Sequence, residues 1–97
     1  MKKDEIIPKI INYFGLTKET KFSNYYVGIT NDVERRLFDE HNVSKKGAWI
    51  YCTADNKSIA QDVEEFFLNL GMTGDTGGEM PDTIVVYCYQ ITNNTNE

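Results

Sequence analysis

At 97 residues the chain has room for one domain with a single core, and no apolar run reaches the length of a membrane span. Its formal charge of −5 is uneven: residues 1–57 hold ten Lys and Arg against eight acids, whereas residues 58–97 hold seven acids and no Lys or Arg. An acidic chain is a poor non-specific nucleic-acid binder, two cysteines and one histidine are too few for a closed zinc site, and with no leader the expected setting is cytoplasmic.

In chain order, residues 4–14 predict an amphipathic helix with Ile7, Ile10, Ile11 and Phe14 on one side, Pro8 near its first turn and Gly15 as its stop. Residues 16–23 are too charged and polar to be a buried strand. Residues 25–30 predict a strand with Tyr25, Val27 and Ile29 on one face and Tyr26, Gly28 and Thr30 on the other. The absent side chain at Gly28 either leaves room for another molecule to approach the backbone or marks a bulge or close packing. A helix follows, capped by Asn31 or Asp32, with Glu34 in its first turn and Val33 and Leu37 four apart. Arg35, Arg36, Lys45 and Lys46 cluster near it in sequence and can form a local positive patch.

Residues 48–53 predict a second strand that buries much of its area, with Trp49 and Tyr51 on one face and Ala48, Ile50 and Cys52 on the other. Trp49 reads as core, or as a stacking platform for a base where it is exposed. Cys52 and Cys88 both lie in apolar runs, and a disulfide between them is left open. The next helix has a capping box at Ser58 and Gln61 and a stripe of Ile59, Val63, Phe66, Phe67 and Leu70. Glu64 falls at the edge of that stripe and Glu65 in solvent, so Glu64 is the better candidate to hold Mg²⁺. Gly71 is the expected stop, and the glycine-rich run to residue 82 reads as a compact loop with a binding role. Residues 83–91 are apolar on both faces, as in a central strand, with Val85, Tyr87, Tyr89 and Ile91 on one side. Residues 92–97 read as a disordered polar tail.

Tyr26-Val27-Gly28, the Asn31-Asp32 turn and Arg36, ten residues after the tyrosine, together resemble the second half of the GIY-YIG nuclease motif. Ser58 to Glu64 is similar to the second helix of that family, where an alanine, here Ala60, precedes by four residues the metal-binding glutamate. The Gly-Ile-Tyr strand that should come first is absent. The resemblance implies an α+β fold over residues 24–91, a small three-stranded, mostly antiparallel sheet flanked by helices, after an N-terminal helix in residues 1–15. It implies a phosphodiesterase using Mg²⁺ or Mn²⁺, with Tyr26, Arg36 and His41 catalytic and Glu64 on the metal; beside these, Gly28, Arg35, Lys45, Lys46 and Trp49 are expected from their residue types to bind nucleic acid or a nucleotide.

A regular helix opposes part of this, since Arg36 and His41, five apart, would point about 140° from each other. They converge only if the helix frays, and the usual spacing of four falls on Glu40. If the final strand takes the place of the missing one, Tyr87 or Tyr89 stands near Tyr26. Two other readings compete: a non-catalytic nucleotide- or protein-binding module, and an acidic nucleic-acid mimic that occupies a basic protein partner. None involves a membrane.

Overall fold

The computed structural model describes residues 1–74 and 82–97, so most of the glycine-rich run lies outside the described residues. Helix α1 spans Lys3–Phe14. Asp4 and Glu5 lie in its first turn, where carboxylates suit the positive end of the helix dipole, and Glu5 Oε1 accepts from the Lys2 backbone N–H at 2.8 Å. Ile6 and Ile10 point inward and are fully buried. Pro8 sits in the second turn rather than the first; the carbonyl that its missing N–H leaves unserved belongs to Asp4, an exposed residue, so water can serve it. Gly15 ends the helix at φ 66°, its N–H bonded to the Ile11 carbonyl.

Strands β1 (Tyr25–Thr30), β2 (Trp49–Thr53), β3 (Thr73–Gly74) and β4 (Val85–Gln90) form one sheet in the order β2-β4-β1-β3. The class is α+β as expected, but the sheet has four strands, not three. The last strand in sequence is central, antiparallel to both β1 and β2, with Gly28 opposite Tyr87 and Trp49 opposite Tyr89. The unforeseen strand is β3, which runs parallel to β1 at its outer edge. Two residues, Thr and Gly, carry no periodic signal, and the pairing exists only because α2 ends at Gly71 (φ 113°) and turns the chain back. A side chain at Gly74 would stand 2.6 Å from the Val27 carbonyl oxygen, so the close approach requires glycine.

Helix α2 spans Lys57–Leu70 and packs on β1, β4 and α1. Asn56, not a Ser58–Gln61 box, caps it: the Asn56 side chain accepts from the Ile59 N–H at 2.9 Å. Asn56 is the last extended residue, whereas Ser58 is already inside the helix. No helix among the described residues is long and apolar enough to cross a membrane.

The sheet separates two clusters. Toward the helices, Val27, Ile29, Cys52, Val86 and Cys88 meet Ile6, Ile10, Ala60, Val63 and Phe67. Each such aliphatic or aromatic side chain contributes about 1.5–3 kcal/mol of burial. Cys52 and Cys88 are free, buried thiols, and burial pushes both up from the ordinary thiol range. On the opposite face, Tyr26, Leu37, Val43, Tyr87 and Tyr89 form the second cluster, with Phe38 and Trp49 partly buried against it. Because β2 is an edge strand, it buries less than its composition suggests: Trp49 is half-buried and Tyr51 is 48% exposed.

Candidate active site

Beyond β1 the chain turns on its own side chains. Thr30 Oγ1 accepts from the Asp32 N–H at 3.0 Å and Asp32 Oδ1 from the Arg35 N–H at 3.3 Å. Arg35–Glu40 then winds as a π-helix, continued by a 2.9 Å bond from the His41 N–H to the Arg36 carbonyl. Bonds from each residue to the fifth before it set residues five apart over one another. Arg36 and His41 therefore come to the same side without fraying, because the helix widens. Asn42, at φ 55°, ends the segment.

That side faces the tyrosines of the sheet. The Tyr26 ring lies 4.6 Å from the His41 ring, 5.2 Å from Tyr89 and 6.2 Å from Tyr87, centroid to centroid. The Arg36 guanidinium stands 5.9 Å from the Tyr87 ring. A cleft of about 410 Å³ opens here, walled among the described residues by Tyr26, Arg36, Glu40, His41, Thr73, Gly74 and Glu97. Gly28 does not leave space for a visiting molecule: a Cβ there would sit 2.5 Å from Cζ and Oη of Tyr87, whose ring fills the gap.

His41 is 3% exposed and bonded through both ring nitrogens. Nδ1 lies 2.6 Å from the Asn96 carbonyl oxygen, which only accepts, so Nδ1 carries the proton. Nε2, 2.8 Å from the Tyr87 hydroxyl, is then an acceptor, and Tyr87 donates to it. Tyr89 donates to the same Asn96 carbonyl at 3.5 Å. Burial lowers the His41 pKa, the Asn96 bond opposes this, and Arg36 lowers it further; the net shift is downward, toward a neutral imidazole. Burial raises the Tyr87 pKa, against the pull of Arg36. Arg36 loses by burial but gains more from Tyr87 and Glu40, and its pKa rises.

Two elements of this site fall outside what residue patterns reveal. Glu40 pairs with both arginines, at 3.0 Å from Arg35 and 3.5 Å from Arg36. The segment read as a disordered tail is bonded to the site: the Asn96 N–H donates to the His41 carbonyl at 2.7 Å, and Asn42 Nδ2 to the Asn94 carbonyl at 2.9 Å. These are backbone groups, which a polar composition does not advertise. The Tyr-x-Tyr alternation of Tyr87 and Tyr89 was the one signal available for the two central phenols.

Of the remaining candidates, Lys45 holds its ammonium 5.4 Å from the Phe38 ring, Lys46 is exposed, and Trp49 donates to the Lys45 carbonyl at 3.1 Å. Glu64, on α2, is 5% exposed and is not among the walls of the cleft. No group of three or more Cys, His, Asp or Glu close enough to share a metal occurs among the described residues.

The sequence profile of the GIY-YIG catalytic domain matches residues 10–70, well over half of the chain. The chain belongs to the GIY-YIG family. No curated protein and no solved structure gives a match. The matched segment of this GIY-YIG domain carries Tyr26, Arg36, His41 and Glu64. Strand β4 lies beyond it, so the domain draws Tyr87 and Tyr89 from outside the matched segment, from a strand antiparallel to the Tyr-Val-Gly strand.

Proposed function

We propose that this GIY-YIG domain hydrolyses phosphodiester bonds of nucleic acid with a divalent metal ion, and that Tyr87 does the work of the absent Gly-Ile-Tyr tyrosine. The observation that supports this is a cleft walled by Tyr26, Arg36 and a neutral His41, with the fully buried Tyr87 bonded to His41 and next to Arg36. Substrate entry would have to bring the attacking water to the buried Tyr87 hydroxyl, which then takes its proton as it gives its own to His41 Nε2, and the charge gained by the imidazole is met by the Asn96 carbonyl at Nδ1. Arg36 faces the negative charge that grows on phenol and phosphate. Tyr26 packs against the His41 ring and holds its plane. Arg35, Lys45 and Lys46 meet flanking phosphates.

Glu64 would hold Mg²⁺ or Mn²⁺. It is a nearly buried carboxylate on a helix face shared with Ala60, Val63 and Phe67, a position where carboxylates are kept when paired or coordinating. These cations take one or two carboxylates with water and substrate phosphate, and Glu64 would supply one such donor from outside the described walls of the cleft. When bound, such an ion polarises a phosphoryl oxygen and steadies the leaving oxygen.

The test is cleavage of a DNA and RNA panel with Mg²⁺ or Mn²⁺. Tyr87→Phe should lower the rate about 10²- to 10⁴-fold with the circular dichroism spectrum unchanged. Undiminished cleavage by that variant, or no cleavage by the wild type under any metal, overturns the proposal.

A further inference from the structure

Resting on the nuclease reading, we infer that Tyr51 and Trp49 form a stacking shelf for an unpaired base beside the phosphate held at Arg36, so that the preferred substrate is single-stranded or frayed nucleic acid. Tyr51 lies opposite Tyr87 in the sheet register, and Trp49 opposite Tyr89. Directly opposed residues share a face, so the shelf continues the tyrosine face of the cleft. The two rings are parallel within 6°, with centroids 6.3 Å apart. Trp49 is held firmly, by its bond to the Lys45 carbonyl and the edge of Phe38 at 5.3 Å, whereas Tyr51 is 48% exposed on the edge strand.

Charge complementarity selects the occupant. Cations bracket the aromatic row: Arg36 lies over Tyr87 at one end, and Lys45 lies over Phe38, which abuts Trp49, at the other. A cation at each end of a row of ring faces suits phosphates flanking stacked bases of one strand. In a duplex the base faces are covered by their neighbours, so only an unpaired base can use the shelf. The net charge of −5 adds to this selection. Such a chain gains little from tracking a duplex backbone, and stacking supplies affinity that phosphate contacts do not.

Trp49 is the single tryptophan of the chain and reports directly on the shelf. Its fluorescence is titrated, in chelator so that cleavage is off, with short oligothymidine and with the corresponding blunt duplex. Saturable quenching by the single strand, at least about tenfold tighter than by the duplex, is expected. Tyr51→Ala should weaken single-strand binding about tenfold or more and leave duplex binding unchanged, while Tyr51→Phe restores it. Equal binding of both forms by the wild type, or an unchanged single-strand affinity in Tyr51→Ala, overturns the inference, as does loss of a wild-type dimer in Tyr51→Ala by light scattering. A parallel cleavage assay separates the two readings. Cleavage with no Tyr51 effect overturns the shelf alone, and quenching without cleavage overturns the nuclease reading while supporting the shelf.

Discussion

The Nε2 atom of His41 lies 2.8 Å from the Tyr87 hydroxyl across 46 residues of chain, and Gly28 makes that distance attainable. The Tyr87 ring lies across β1 at the one position with no Cβ. The bond and the glycine belong to one arrangement: a π-helix delivers the histidine, a central strand delivers the phenol, and the strand between them yields space.

Gly28→Ala is therefore expected to act like a catalytic substitution. Its methyl would meet Cζ and Oη of Tyr87 at 2.5 Å, and these atoms must move off His41. Overpacking of this kind costs about 1–3 kcal/mol, and the displaced phenol should reduce cleavage about a hundredfold. Thermal melting and single-turnover rates check both effects, and unchanged values would mean that the ring has room after all.

His41 is the only histidine, so its titration can be read alone. Its folded pKa is lowered from 6.5 by burial. Below 6.5 the unfolded chain takes up protons that the folded chain refuses, so stability falls as pH drops from 6.5 toward the folded value. Activity should fall on the same acid limb, because a protonated Nε2 cannot accept from Tyr87. Proton NMR of the imidazole ring locates the folded pKa, and His41→Gln should remove that acid-side loss of melting temperature.

Glu40 pairs with both arginines that would meet phosphate and offsets one of their two charges. Glu40→Gln should tighten nucleic-acid binding several-fold and steepen its salt dependence, since two freed guanidinium groups add phosphate contacts. Stability should change by less than about 1 kcal/mol, because Glu40 and Arg35 are about half exposed and the Arg36 contact is long, at 3.5 Å. Binding titrations at two salt concentrations provide the check.

Glu64→Gln should abolish the rise in melting temperature produced by Mg²⁺ or Mn²⁺ in the wild type. A ligand at a hundred times its Kd stabilises by about 2.7 kcal/mol, well within calorimetric reach. A rise that survives in the variant would place the ion elsewhere.

The Tyr-Val-Gly strand, the capped turn after it, both glycine stops and the apolar stripe of α2 were legible in residue order, because each is a local consequence of side-chain type and spacing. Tyr26, Arg36, His41 and Glu64 were named from those patterns and from family resemblance. What residue order withheld was how the named residues meet. A regular 100° period turned His41 away from Arg36, and only the π-helical bonds, stabilised where Leu37 and Val43 pack on the tyrosine face, brought them to one side. The second phenol comes from the last strand, whose central place depends on pairing with β1 and β2 at once. Neither the two-residue β3 nor the backbone of Asn96 carries a side-chain signal; both are placed by hydrogen bonds to groups far along the chain. Sequence determined which groups this protein owns and which faces they line. Tertiary packing decided which of them touch, because widening a helix and closing a sheet are settled by partners distant in sequence.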